Sequence, residues 1–376
     1  MNRFSRLSQL LSPLVAVAAA FLVGGLVVTA IGENPFRIYS ILFRGAFGSV
    51  DAIGFVLFNA VPLIFTGLAV SFAFRAGLFN IGGEGQLYMG AFVCTLAGLA
   101  LGGLPAVLLV PVMVLASALG GALWGSIPGL LKARFGVHEV INTIMMNFIA
   151  VGLTSYFVIN MLREPGQMTP QTSEIALAGH LPRLAGPLSR IGVPLPQANP
   201  LNFSIVLALA AVWLAWYILY RTNLGYEIRA VGLNPQAAEY AGINVRRTIV
   251  MAMIISGAFA GLVATNEVMG FRHRFLDNFS SGLGFMGIAV ALLGKNTPVG
   301  VLLASLLFGV LNTGALEIDV FTDVPRELIQ VVQAVTIILV VVGNEVVARR
   351  AAAGDGRAAG RSVDTEHAAG AAGKVE

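Results

Sequence analysis

Residues 52–91 read AIGFVLFNAVPLIFTGLAVSFAFRAGLFNIGGEGQLYMGA. Residues 52–74 are almost wholly apolar and match the ~20 residues that a helix needs to cross the hydrocarbon of a bilayer. The chain then breaks. Gly77, Gly82, Gly83 and Gly85 interrupt helical periodicity, and Asn80, Glu84 and Gln86 place three polar side chains between apolar flanks. Non-helical backbone at membrane depth survives only where protein or a watery cavity satisfies it. This stretch is therefore a candidate lining of a path through the membrane.

Working outward, ten spans are expected, at 10–31, 52–74, 84–101, 104–131, 139–160, 203–220, 248–268, 284–294, 299–316 and 326–347. The composition agrees: 57% of the residues are hydrophobic and 11% charged, against roughly 25% charged in a soluble domain. The fold class read from this is an all-α polytopic membrane protein of about ten transmembrane spans, some broken or re-entrant. Residues 1–347 form one transmembrane domain, with a long loop at 161–202 and an intervening segment at 221–247, followed by a disordered cytoplasmic tail at 348–376. Leu10–Ile31 is longer than the apolar core of a signal peptide and is taken as the first span. Placing the N-terminus in the cytoplasm puts 15 of the 23 Lys and Arg residues inside and makes both termini cytoplasmic.

Several chemistries are excluded. The single cysteine, Cys94, lies in an apolar run, so neither a disulfide framework nor a cysteine metal site is available. His138 has no second histidine nearby, so no metal site is expected. The net charge of +4 is spread over the connections between spans and does not form a phosphate-binding face for nucleic acid. The glycine run lacks the G-x-x-x-x-G-K-[ST] pattern and a nearby lysine, so it is no ATP site. No H-E-x-x-H or Ser–His pairing stands out, so no catalytic residues and no cofactor are assigned.

Two readings of Glu84 stand side by side: a carboxylate favoured by the free amides and dipole of its own helix start, or a polar lining group in contact with solute. In the fifth span, Glu139, Asn142, Thr143, Asn147 and Thr154 fall within an arc of about 140° at ~100° per residue, a polar stripe that faces the bundle or water. The run 284–294 is too short to cross alone and, between Ser280-Ser281-Gly282 and Lys295-Asn296-Thr297-Pro298, reads as a half-helix or re-entrant piece. Gly121, Gly125 and Gly129, and Gly257 and Gly261, form small-residue stripes that let helices approach closely. Residues 224–244 read as two short helices separated by Asn234-Pro235 and stopped at Gly242, a docked helix pair facing a cytoplasmic partner. On the other side, Arg37, Arg44, Arg272 and Arg274 are candidates for docking a soluble partner, opposite an acidic cluster of Glu317, Asp319 and Asp323.

At this point a family enters. FNIGGEGQLYMGA at 79–91, VHEVINTIMMNF at 137–148, the segment 224–243 and GFMGIAVALLG at 284–294 together resemble the permease subunit of bacterial nucleoside ATP-binding-cassette (ABC) importers. That superfamily also holds ribose and branched-chain amino-acid permeases. The resemblance covers nearly the whole chain except its tail. It implies a bacterial inner-membrane location and a path enclosed by two permeases, identical or paralogous. It implies an extracytoplasmic lipoprotein that delivers nucleoside, and a cytoplasmic ABC ATPase that binds the ATP. The stretch QAAEYAGI at 236–243 resembles the coupling loop presented to that ATPase, which gives Arg229, Asn234, Ala237, Ala238, Glu239 and Gly242 coupling roles. Asn80, Glu84, Gln86, Tyr88, Glu139, Asn142, Thr143, Asn147 and Met286 become path candidates, with Phe79 and Tyr88 as stacking neighbours for a base. Met286 departs from the family, where a polar residue is expected, and this bears on the substrate. The alternatives are a permease for a simple sugar or branched-chain amino acid and, from a different class, an ion-coupled secondary transporter, which also uses broken helices and a buried acid.

Overall fold

The computed structural model describes residues 18–322, apart from 20 and 31, with isolated positions at 331, 334, 335 and 338. The span expected at 326–347 and the tail at 348–376 lie outside the described residues apart from those positions. Of the span expected at 10–31, the described part is mainly helix α1, Phe21–Ala30. The described residues before Arg37 belong to one compact unit and 37–322 to another. In the first, the Thr29 hydroxyl of α1 donates to the Gly25 carbonyl at 2.8 Å.

Among the described residues every regular element is a helix. In order they are α2 (Pro35–Phe47), α3 (Val50–Arg75), α4 (Gly83–Ala100), α5 (Ala106–Phe135), α6 (Glu139–Asn160), α7 (Ala185–Arg190), α8 (Ser204–Arg221), α9 (Asn223–Leu233), α10 (Pro235–Tyr240), α11 (Val245–Gly261), α12 (Leu283–Leu293) and α13 (Pro298–Phe321). A π-helical segment, Thr265–Arg272, prolongs α11. Among the described residues, six helices are long and apolar enough to cross a membrane: α3, α5, α6, α8, α11 with its prolongation, and α13. α4 is more polar because its first turn carries Glu84 and Gln86, and α12 has only 11 residues.

α3 is the hub, buried along most of its length and packed against α8, α11, α12 and α13. Its start is fixed by Ser49, whose hydroxyl accepts the Ala52 N–H at 3.0 Å. Near that end the Asn199 amide of the 161–202 loop donates to Asp51 at 2.7 Å. At the opposite end the Arg75 guanidinium donates to the Asn296 carbonyl at 2.7 Å, and Gly77, in the left-handed region with φ 73°, turns the chain against Gly232. The molecule thus has a loop end, carrying 161–202, and a coupling end, carrying α9 and α10.

The small-residue stripes find each other. A side-chain carbon at Gly121 would collide with the Gly257 carbonyl, one at Gly257 with that of Gly121, and one at Gly261 with that of Ser117. α5 and α11 therefore cross backbone to backbone, and Gly90 brings α4 against the same point at Gly261. Close approach of this kind lets dispersion replace the hydrophobic drive that lipid does not supply.

The long loop is a structured cap. Its backbone lies beside the non-helical limb that follows the π-helix: Ile175 N–H donates to His273 O at 2.8 Å, Thr172 N–H to Phe275 O at 3.0 Å, and Asp277 N–H to Pro170 O at 3.0 Å. His180 stacks on His273 with ring centroids 3.7 Å apart.

Candidate translocation site

The glycine run and the short helix α12 meet inside the bundle. Gly287 of α12 sits on Thr66 of α3, which at 1.5 Å per residue lies ~24 Å from the loop end of α3 and ~14 Å from its coupling end. α4, of 18 residues, and the half-helix α12 both begin at this depth, start to start. Gly83 and Glu84 lie against Gly284 so closely that a side-chain carbon on Gly284 would collide with the Glu84 backbone. Glycine is required here because two helix starts touch through their main chains.

A half-helix that starts in the membrane leaves N–H groups without intrahelical partners. The structure supplies acceptors from neighbouring elements. The Glu84 carboxyl accepts from Gly284 N–H at 2.7 Å and also from Gly282 N–H and the Ser280 hydroxyl, so it occupies the start of α12 rather than merely that of its own helix. Asn147 of α6 bridges the glycine run: its Oδ1 accepts from Gly85 N–H at 2.8 Å and its Nδ2 donates to Ile81 O at 3.0 Å. Asn80 Oδ1 accepts from Gly82 N–H at 2.9 Å and from Gln86 Nε2 at 3.2 Å, while its Nδ2 donates to Ser256 Oγ at 2.8 Å and Gln86 Oε1 at 3.0 Å. Ser256 in turn donates to Ala69 O at 2.6 Å, tying α11 to α3. Protein groups thus satisfy the broken backbone at membrane depth.

The remaining path candidates are placed as follows. Tyr88 is buried; its hydroxyl donates to Asn278 Oδ1 at 3.4 Å, and its ring lies 5.0 Å from Phe279 and 6.2 Å from Phe275. Phe79, partly exposed, meets Phe74 edge-on at 5.0 Å. Asn142 donates to Pro128 O of α5 at 3.4 Å, and Thr143 donates to Glu139 O at 2.7 Å within its own helix. Glu139, at the coupling end, pairs with Lys132 at 2.8 Å, away from the α4–α12 junction. Met286 is partly buried in the first turn of α12. Sequence reading assigned no role to Asn266 and Glu267, both buried: Asn266 Oδ1 accepts from Ser204 Oγ at 2.9 Å, and Glu267 pairs with Arg272 at 3.2 Å. The triplet Thr265-Asn266-Glu267 at the end of an apolar run was the available signal.

The docking and coupling candidates separate clearly. Arg37 and Arg44 are exposed on α2, whereas Arg272 is held by Glu267 and Arg274 by Glu164 at 2.7 Å and Glu174 at 3.4 Å. Asn234 caps α10, its Oδ1 accepting from Ala237 N–H at 3.0 Å. Gly242, with φ 84°, closes α10 by donating to Glu239 O at 2.9 Å. Ala238 faces inward, Ala237 and Glu239 outward, and the Arg229 guanidinium sits 5.3 Å over the Tyr220 ring. Leu233 and Tyr240 are 88% and 94% exposed, an apolar surface that water solvates poorly.

Comparison with known proteins carries the same reading. Residues 52–341 match the family described as branched-chain amino acid transport system / permease component. The guanosine ABC transporter permease protein NupP of Bacillus subtilis is 43% identical over 89% of this chain and 94% of its own length. The nucleoside ABC transporter permease protein NupB of Lactococcus lactis is 37% identical over 91% of this chain and 93% of its own. The glucose ABC transporter permease protein TsgB13 of Haloferax volcanii is 37% identical over 88% and 86%. No solved structure matches the chain. The chain belongs to this permease family and is the multi-pass, non-enzymatic membrane subunit of an ABC importer, whose ATPase is a separate protein.

Proposed function

We propose that this permease carries nucleosides inward across a bacterial inner membrane. Ten crossings leave both termini in the cytoplasm, with the loop end outside and the coupling end inside. Asn80, Glu84, Gln86, Tyr88, Asn142, Thr143, Asn147 and Met286 frame the path, and Glu139 marks its inner end. Two permeases, alike or paralogous, enclose that path. A lipoprotein delivers nucleoside to the loop end beside Arg37 and Arg44. A cytoplasmic ATPase pair grips α9 and α10 through Arg229, Asn234, Ala237, Ala238, Glu239 and Gly242, and ATP is bound there. This chain holds no cofactor of its own.

One observation carries the substrate class: the Glu84 carboxyl fills the start of half-helix α12. In transporters of charged solutes that position is open, and the positive end of the half-helix meets the anionic group of the solute. Here it is already taken, which favours an uncharged solute over an amino acid with its carboxylate. Nucleosides and simple sugars share that property. The relatives named for guanosine and for nucleosides favour the former, and the relative named for glucose favours the latter.

Copurification tests the coupling half of the proposal. The chain should bring down its ATPase partner, and charge reversal at Glu239, or Tyr240→Asp in the exposed surface, should release it while the permease itself stays intact. Full retention of the ATPase by both variants would refute the assignment.

A further inference from the structure

The chain between the π-helix and α12 runs from the loop end to the α4–α12 junction without forming a helix. Ser155 of α6 holds Asp277 at 2.5 Å, and Ser155 lies ~8 Å short of the end of α6. Gly284 reaches Glu84, which lies ~24 Å short of the end of α4. The limb between them thus descends deep into the span of the bundle. Its inner side is filled by the rings of Phe275 and Phe279 against Tyr88.

Its outer side differs. Asn278 and Ser281 are exposed, with φ of 56° and 49°, and the Phe285 ring, beside Gly282 and one turn beyond Ser281, is 49% exposed. Lipid cannot solvate a carboxamide and a hydroxyl at this depth, so such a surface must meet protein or line a watery cavity. Left-handed backbone at a serine is strained, and strain of this kind collects where function requires it. Meanwhile the polar atoms of Asn80, Gln86 and Asn147 are spent inside the protomer.

We propose that Asn278, Ser281 and Phe285 form the solute-contact surface of the path. The Phe285 ring stacks on a planar base, and the Nδ2 of Asn278, whose Oδ1 already accepts from Tyr88, and the Ser281 hydroxyl take the hydroxyls of an uncharged sugar. Contacts are few and open, as a path that must release its cargo requires. The choice of nucleoside rests on the function proposed above. The surface itself does not.

The only native cysteine, Cys94, is fully buried, so cysteine accessibility can be read on a quiet background. Asn278→Cys, Ser281→Cys and Phe285→Cys would be placed singly in the assembled importer in liposomes and treated with a charged, membrane-impermeant methanethiosulfonate. The control is Leu123→Cys, on the face of α5 opposite Gly121 and 68% exposed. A thiolate forms only where water reaches it, so at least two of the three should react about tenfold faster than the control, and guanosine should slow them. Reaction no faster than the control would place the surface beneath protein or lipid and overturn the proposal. Fast reaction that neither guanosine nor glucose slows would also overturn it. Protection by glucose and not guanosine would leave the surface standing and remove the nucleoside reading. As a second measurement, Phe285→Ala should raise the KM for guanosine uptake about tenfold while Phe285→Trp keeps it near wild type. An equal loss in both would contradict stacking.

Discussion

Replacing Glu84 by alanine removes the acceptor shared by the Gly282 and Gly284 amides and the Ser280 hydroxyl. Gly284 and Ser280 are buried. An orphaned buried donor costs about 1–3 kcal/mol; the Gly284 amide is the buried one, so Glu84→Ala should cost roughly 1–3 kcal/mol. The partly exposed Gly282 amide can turn to water and the serine hydroxyl can rotate to a new acceptor, so neither adds much. Glu84→Gln keeps a carbonyl oxygen within reach of the same amides and should cost about 1 kcal/mol. The assay is thermal inactivation of the detergent-solubilised permease, scored by the fraction still monodisperse, beside uptake measured well below the inactivation range. Wild type and Glu84→Gln should stay close together and Glu84→Ala should fall well below both. If the alanine variant were as heat-resistant as wild type yet inactive, Glu84 would be a solute contact and not the cap of α12.

Two further consequences follow from the packing and the loop. Gly257→Ala drives a methyl into the Gly121 carbonyl and should destabilise by about 1–3 kcal/mol, whereas Gly152→Ala, inside α6 with nothing within 4 Å, should be neutral or slightly stabilising in the same thermal assay. His273, at the rim, is pushed down from its ordinary 6.5 to about 4, mainly by burial and next by neighbouring His180, against the opposing pull of Glu174. Its folded value lies below its unfolded one. The stability this contributes is complete above pH 6.5 and drains away as pH falls toward 4. Amide exchange at Ile175, whose N–H bonds to His273 O, should lose protection between pH 7.5 and pH 5 after correction for intrinsic rates, and His273→Phe should flatten the change. Equal protection at both pH values in the wild type would contradict it.

Helix existence was legible in the chain because hydrocarbon imposes one strong rule: long apolar runs. The spans expected at 52–74, 139–160 and 203–220 became Val50–Arg75, Glu139–Asn160 and Ser204–Arg221. The short run at 284–294 became the half-helix Leu283–Leu293, since both its glycine start and its Lys295-Asn296-Thr297-Pro298 stop are local signals. What stayed hidden is non-local. Glu84 caps a helix 200 positions away, and no periodicity reports that pairing. Asn80 and Asn147 were legible as polar groups in apolar surroundings, but their partners, Ser256 and the Ile81 and Gly85 backbone, depend on how four helices close on one another. α2 was missed because its buried side, Ile38, Leu42 and Ala46, is narrow and interrupted by Arg37 and Arg44. The pairing of Arg272 and Arg274 with Glu267, Glu164 and Glu174 likewise joins residues from separate segments.

The central claim is that this chain is the nucleoside path of an ATP-driven importer, with its half-helix closed to anions by Glu84. Uptake by the complex of permeases, ATPase and binding protein in liposomes tests it most directly, using labelled guanosine, ribose, glucose and leucine with and without internal ATP. Guanosine accumulation that requires ATP and exceeds that of the other three is the predicted result. Preference for leucine, or uptake by the permease alone driven by an ion gradient and indifferent to ATP, would contradict it.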